Sequence, residues 1–202
     1  MGKINEIGQL TQTPYINVYA LKCINKKGKA GNYYVASRAK NVEELKISSR
    51  KNQADGVVIY ALYGAAQEQV VLIRQYRYSI DDYIYEFPAG LKEPHETDRE
   101  TAVREMREET GLSLAPISVD ALYERPFYTT IGMTDESCSM VYGYAAGEIS
   151  YDRQEESEEI EVVLADRQEV RRILSDEQVS LTCAHMLMHF LYDTVPFDFI
   201  QH

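Results

Sequence analysis

Three glutamates, Glu105, Glu108 and Glu109, stand three and four residues apart near the middle of the chain. On a helix that spacing puts them on one face. Like charges so stacked repel by roughly 0.2–0.5 kcal/mol per close pair, a cost that a bound divalent cation offsets, because hard cations take carboxylate oxygens as ligands. The competing reading is a solvated acidic helix face. Thr97 is a candidate N-cap with Glu100 as its capping-box partner, and Gly111 suits the left-handed position that ends a helix. On the helical wheel Val103, Met106 and Thr110 project away from Glu105, so that side is expected to pack on a sheet while the acidic side faces a cleft.

The surrounding stretch, GLKEPHETDRETAVREMREETGL, resembles the Nudix box, Gly-x5-Glu-x7-Arg-Glu-U-x-Glu-Glu-x-Gly-U with U a bulky apolar residue. Gly90, Glu96, Arg104, Glu105, Glu108, Glu109 and Gly111 occupy the fixed positions, and Met106 and Leu112 the apolar ones. At residue frequencies of about 7% each, such a match arises by chance about once in 10⁸ starts. The resemblance implies an α/β (α+β) Nudix fold, a mixed β-sheet sandwiched between helices with the box as loop–helix–loop. It implies hydrolysis of a nucleoside diphosphate linked to another group.

Composition narrows the partners. The chain has 202 residues, a net charge of −11 and a sequence pI of about 4.9. Such a surface repels phosphate backbones, which argues against a nucleic-acid polymer. A small anionic substrate remains compatible if a cation and local arginines neutralise it. Cys23, Cys138 and Cys183 form neither metal spacing nor a disulfide framework and read as reduced thiols. No apolar run approaches 18 residues, and the opening MGKINEIGQL has no apolar signal core, so a soluble, cytoplasmic protein without a membrane partner is expected.

Along the chain, residues 1–52 read as a small β-hairpin unit: strand 15–24 (YINVYALKCI), turn 25–29, strand 32–37 (NYYVAS) and a polar link 38–52. An isolated hairpin is marginal in water, so the unit needs a neighbour, either the main domain or a second subunit. Residues 53–202 read as the main domain. Strands are expected at 56–62, 70–76, 84–87, 121–126, 137–148 and 160–164, and helices at 168–174 and 180–192 after the acidic one. The last helix carries Leu181, Ala184, Met188 and Leu191 as its apolar stripe, bordered by His185 as a core histidine.

The flanks of the box, Arg74-Gln75-Tyr76-Arg77 and Glu86-Phe87-Pro88-Ala89-Gly90, resemble the ADP-ribose pyrophosphatase subgroup, as does Pro126, fifteen residues after Gly111. By that resemblance Glu105 and Glu109 are the main Mg²⁺ ligands (Mn²⁺ substituting), with Glu108 a further ligand or a water-mediated one and the backbone carbonyl of Ala89 another. Glu86 reaches a metal-bound water. Arg104 and Glu96 orient the box, and Gly90 and Gly111 provide backbone geometry. Arg77 binds the diphosphate, its alternative being a surface salt bridge. The general base falls on the loop 156–160, with Glu156 first and Glu158 second, and simple solvation is the other reading of that loop; Glu136, in GMTDES, is a third candidate. Tyr15 and Tyr33 fall where subgroup members stack the base, and core tyrosines explain them equally well. The subgroup's N-terminal unit is shared between subunits, which implies a homodimer.

The function expected is Mg²⁺-dependent hydrolysis of a nucleoside diphosphate sugar, foremost ADP-ribose to AMP and ribose 5-phosphate. The alternatives are the same chemistry on GDP-mannose or another substrate, or a catalytically silent nucleotide-sensing Nudix domain. Action on short capped RNA ends is a third.

Overall fold

The computed structural model describes residues 2–154 and 159–200. In chain order the elements are β1 (Lys3–Gln9), β2 (Asn17–Ile24), β3 (Ala30–Ser37), α1 (Lys46–Ser49), β4 (Gly56–Tyr63), β5 (Gln69–Arg77), β6 (Asp82–Glu86) and β7 (Ala89–Leu91). There follow α2 (Asp98–Thr110), β8 (Ser113–Pro116), α3 (Ala121–Glu124), β9 (Phe127–Tyr128), β10 (Ser137–Ala146), β11 (Ile160–Ala165), α4 (Arg167–Asp176) and α5 (Leu181–Tyr192), and a short 3₁₀ turn at Asp198–Ile200. Among the described residues no helix is long and apolar enough to cross a membrane.

The chain packs as two units. The first comprises residues 1–55 together with 126–138, and the second 56–125 with 139–202. The sequence-based boundary lies at 52/53 and leaves 126–138 in the main domain. In the structure that segment pairs with the first unit: Ala36 N–H donates to the Met133 carbonyl at 3.0 Å, and Tyr33 Oη to that of Gly132 at 2.6 Å. Ser137 is fully buried, and its N–H donates to Asp55 at 2.9 Å. Asp55 also accepts from Lys46 Nζ at 2.6 Å.

In the first unit β1, β2 and β3 form an antiparallel meander, with a bulge between Ile4 and Glu6. The predicted hairpin is β2–β3. β1 has no sequence counterpart because KINEIGQ is exposed over most of its length and lacks an apolar alternation. Tyr19, Leu21 and Leu45 form the small core here. Leu45 lies inside the stretch expected to be a polar link, so that link contributes to packing.

The second unit holds a sheet in the order β11-β5-β4-β10-β8, with β6 beside β5 and β7 beside β4. Side chains alternate across it. Val70 and Leu72 join a core with Ile173, Leu187 and Phe190 from α4 and α5. Val57, Ile59, Val71 and Val141 join the opposite core with Ala102 and Met106 from α2. The sheet is therefore sandwiched between helices, as expected. Full burial of one side chain such as Met106 contributes about 1.5–3 kcal/mol.

Three local expectations are corrected. Residues 121–124 are helical rather than extended, because Asp120 caps them by accepting from Leu122 N–H at 2.8 Å. The buried stripe of α5 is Cys183, Met186, Leu187 and Phe190. Leu181 is 84% exposed and Met188 52%, and His185 is on the solvent side, so it is no core histidine. The helix is apolar on most of its circumference, and periodicity alone did not fix which arc meets the sheet. On α2, Met106 and Thr110 are buried as expected, but Val103 is 40% exposed.

Candidate active site

α2 begins at a complete capping box. Thr97 N–H donates to Glu100 Oε2 at 2.8 Å, and Thr97 Oγ1 accepts from Glu100 N–H at 3.3 Å. Asp98 and Glu100 place negative charge in the first turn, where the helix dipole favours it. The helix stops at Gly111, whose φ of +77° is the left-handed conformation. A Cβ there would also collide with the backbone of Ser150.

Between these ends the glutamates have distinct surroundings. Glu109 is buried to 2% exposure and accepts from the Ala89 N–H at 3.0 Å. A buried carboxylate needs such a donor. Glu105 lies against β7, where the carbonless side of Gly90 leaves its carboxyl room. A Cβ at Gly90 would overlap it. Gly90 cannot retreat freely, since β7 is paired to β4 through Val57↔Gly90 and Val58↔Ala89. Glu108 is the more open, at 41% side-chain exposure.

Arg104 ties these parts together. Its guanidinium donates to Glu96 at 2.8 and 3.0 Å, to Glu105 at 2.8 Å, to Glu108 at 2.9 Å and to the Leu91 carbonyl at 3.0 Å. One side chain thus links β7, the loop before α2 and the acidic face. The Arg104 guanidinium, with further help from the Glu93 N–H and Thr101 hydroxyl, holds the Glu96 carboxyl at about 2, well below its ordinary 4.5. Since the folded value is the lower one, Glu96 contributes stability above pH 4.5 that is lost as pH falls toward 2. Glu96→Gln is accordingly expected to lower stability at neutral pH and flatten the acid limb of a denaturation curve over that window. An acid limb unchanged in slope would show that the pairing does not bear on folding.

Among the described residues no three Asp, Glu, His or Cys side chains already converge closely enough to enclose a cation. Glu105 and Glu108 share Arg104 instead. The donor set nonetheless suits a hard cation in chemistry, being carboxylate oxygens, and the Glu105 carboxyl occupies the space that a Cβ at position 90 would fill.

On β5 the two-residue alternation puts Arg77 on the face of Val71, the α2 face, and Glu86 on β6 pairs into the same face opposite Ile73. Arg77 Nε donates to Glu86 Oε2 at 2.7 Å, with the arginine side chain 46% exposed. The diphosphate-binding and salt-bridge readings of Arg77 thus concern one exposed guanidinium that has a carboxylate partner. Arg74 falls on the other face and stacks 4.1 Å from the Tyr83 ring centre.

Tyr15 and Tyr33 belong to the first unit and are 78% and 43% exposed, so neither is a core tyrosine. Tyr33 lines a cleft of about 660 Å³ within that unit, beside Leu21, Val35, Tyr128 and Arg50. Glu136, also in the first unit, accepts from Arg38 Nε at 2.8 Å and from Thr129 Oγ1 at 3.3 Å. Glu156 and Glu158 lie outside the described residues. The Leu91 carbonyl and Gln154, whose amide reaches the Glu109 carbonyl at 2.8 Å, were not singled out from sequence. Neither contact has a residue-type signature.

A sheet between helices, with a capped acidic helix beside a glycine-containing strand, makes this an α+β domain of layered architecture. The family described as NUDIX domain matches residues 52–182. The chain belongs to the Nudix family. Relatives include an ADP-ribose pyrophosphatase of Bacillus subtilis (strain 168), 32% identical over 48% of this chain and 53% of its own. An ADP-sugar pyrophosphatase of Mus musculus is 38% identical over 34% of this chain and 33% of its own. The matches therefore span from a third to about half of these relatives' lengths. A solved structure described as an ADP compounds hydrolase superposes with a TM-score of 0.66 at 16% identity, covering 93% of this chain and 90% of that one, and bears out the fold.

Proposed function

We propose that this chain hydrolyses the diphosphate of a nucleoside diphosphate sugar, foremost ADP-ribose, to AMP and ribose 5-phosphate. The observation that carries the reading is the complete box set on a capped helix, with Glu109 buried against Ala89 and Glu105 fitted over Gly90. The relatives named ADP-ribose and ADP-sugar pyrophosphatase support the substrate class. Glu105, Glu109, Glu108 and the Ala89 carbonyl are the ligands assigned to Mg²⁺, or Mn²⁺ in its place. Bound there, the cation supplies charge neutralisation of the diphosphate and a lowered pKa for the attacking water.

The chain's own residues do the rest. Arg77 leaves Glu86 to grip the diphosphate with its planar fork. Glu156 takes the proton as the water oxygen bonds to phosphorus and the bridging P–O bond breaks, with Glu158 as second choice. Glu136 is the weakest candidate for base, because Arg38 already holds its carboxylate. Arg104 and Glu96 keep the acidic face and β7 in register. Tyr33 offers a ring in an apolar-walled cleft for the nucleobase, and Tyr15 a second, more exposed one. The same reading makes the protein a cytoplasmic homodimer joined through the first unit, which exposes Leu10, Ile16 and Tyr34. The net charge of −11 keeps nucleic-acid polymers off the partner list.

The test is a substrate panel with Mg²⁺ and chromatographic identification of products: ADP-ribose, GDP-mannose, ADP-glucose, NADH, diadenosine polyphosphates and 8-oxo-dGTP. ADP-ribose is expected to lead. GDP-mannose leading would move the substrate within the class. Tight binding of one compound with no cleavage of any would make the chain a nucleotide sensor. Within this reading Tyr33→Ala is expected to raise KM for ADP-ribose about tenfold, as a lost stacking contact of 1–3 kcal/mol would, with kcat little changed. An unaltered KM would put the base elsewhere.

A further inference from the structure

The last carbonyls of a helix have no partner within it, and at the end of α2 they are met by a segment far along the chain. Ser150 N–H donates to the Thr110 carbonyl at 3.1 Å. Gln154 Nε2 donates to the Glu109 carbonyl at 2.8 Å, and the same nitrogen reaches the carbonyl of Ile160, the first residue of β11, at 3.3 Å. Both neighbours are carbonyl oxygens, so only the NH₂ end of the amide satisfies them, and its two hydrogens are both engaged. Gln154 is partly buried. Glu109 is consequently held at two points, its carboxylate by the Ala89 N–H and its backbone by Gln154.

We propose that Gln154 is a positioning residue for the cation-binding face: by bridging the end of α2 to the start of β11 it fixes where Glu109 presents its carboxylate. This rests on the reading of Glu109 as a cation ligand. Gln154 is not one of the residues assigned to the cation or the substrate and acts through Glu109. Without its two donors the Glu109 carbonyl loses its anchor, the last turn of α2 is free to fray, and the separation of Glu109 from Glu105 is no longer set.

The test is Mn²⁺ binding to the full chain by calorimetry and electron paramagnetic resonance, with wild type, Gln154→Met and Gln154→Glu. Methionine keeps length and loses both donors, while glutamate keeps shape and turns oxygens toward two carbonyls. Either variant is expected to bind Mn²⁺ about tenfold more weakly, the lower end of what loss of an outer partner costs a metal site. The Mg²⁺ concentration for half-maximal turnover should rise in parallel, while KM for ADP-ribose at saturating Mg²⁺ stays as in wild type. A lowered melting temperature with unchanged Mn²⁺ affinity would overturn the proposal by making Gln154 a stability residue only. Should the methionine variant not fold, the glutamate variant decides in the same way. Mn²⁺ binding that is lost in Glu109→Gln and kept in the Gln154 variants would sink this inference and leave the ligand assignment standing. Absence of Mn²⁺ binding by wild type would sink both.

Discussion

Glu109→Gln is expected to reduce kcat on ADP-ribose by on the order of a thousandfold, about 4 kcal/mol at the barrier, while leaving the fold intact. The side chain is 2% exposed and its Oε2 accepts from Ala89 N–H at 3.0 Å. The amide oxygen of glutamine can take over that hydrogen bond, so the helix and β7 keep their contact. What is lost is a charged oxygen where a hard cation would bind. The change therefore separates catalysis from folding. The measurement is steady-state turnover beside a thermal melt. A fold that melts as wild type with turnover within a few-fold of wild type would remove Glu109 from the mechanism.

Gly90→Ala is expected to act almost as strongly by a different route. A Cβ at this position would overlap the Glu105 carboxyl, so either the carboxylate turns away or β7 shifts off β4. Overpacking of this kind costs about 1–3 kcal/mol in stability. Displacement of a ligand by even 1 Å can cost a hundredfold in rate, and a loss of about that size is expected here. Gly31→Ala is the control. Gly31 lies on β3 with nothing within 4 Å of its missing Cβ, and its replacement should be nearly silent. Equal activity of the two variants would mean that Glu105 is not confined by β7.

Much of the candidate site was legible because its signals are local. Thr97, Glu100 and Gly111 announce the ends of α2 by chemistry acting within a few residues, and the box spacing follows from helical geometry. The apolar runs at 56–62 and 70–76 were legible as strands of buried length, while the helices on both faces were what the box resemblance implied. What failed depended on distant partners. Leu181 and Met188 looked like core because α5 is apolar around most of its circumference, and only docking on α4 and the sheet selects Cys183, Met186, Leu187 and Phe190. Residues 126–138 join the first unit through single contacts such as Tyr33 to Gly132 and Lys46 to Asp135, which no periodicity encodes. The turn at 121–124 was missed because Ala121, Leu122 and Glu124 are helix formers in a stretch too short to show a helical period, and its start is set by the Asp120 cap. Gln154 is the extreme case, a polar residue in an acidic stretch whose amide meets a carbonyl 45 positions earlier as well as that of Ile160.

The most direct test of the central claim is to strip the protein with a chelator, add ADP-ribose, and follow AMP and ribose 5-phosphate by chromatography as Mg²⁺ is titrated back, for wild type and Glu109→Gln in parallel. Products that are absent without cation, return with Mg²⁺ in wild type and fail to return in the variant are the predicted result. Undiminished hydrolysis in the presence of the chelator, or full recovery in Glu109→Gln, would contradict the assignment of chemistry to the acidic face of α2.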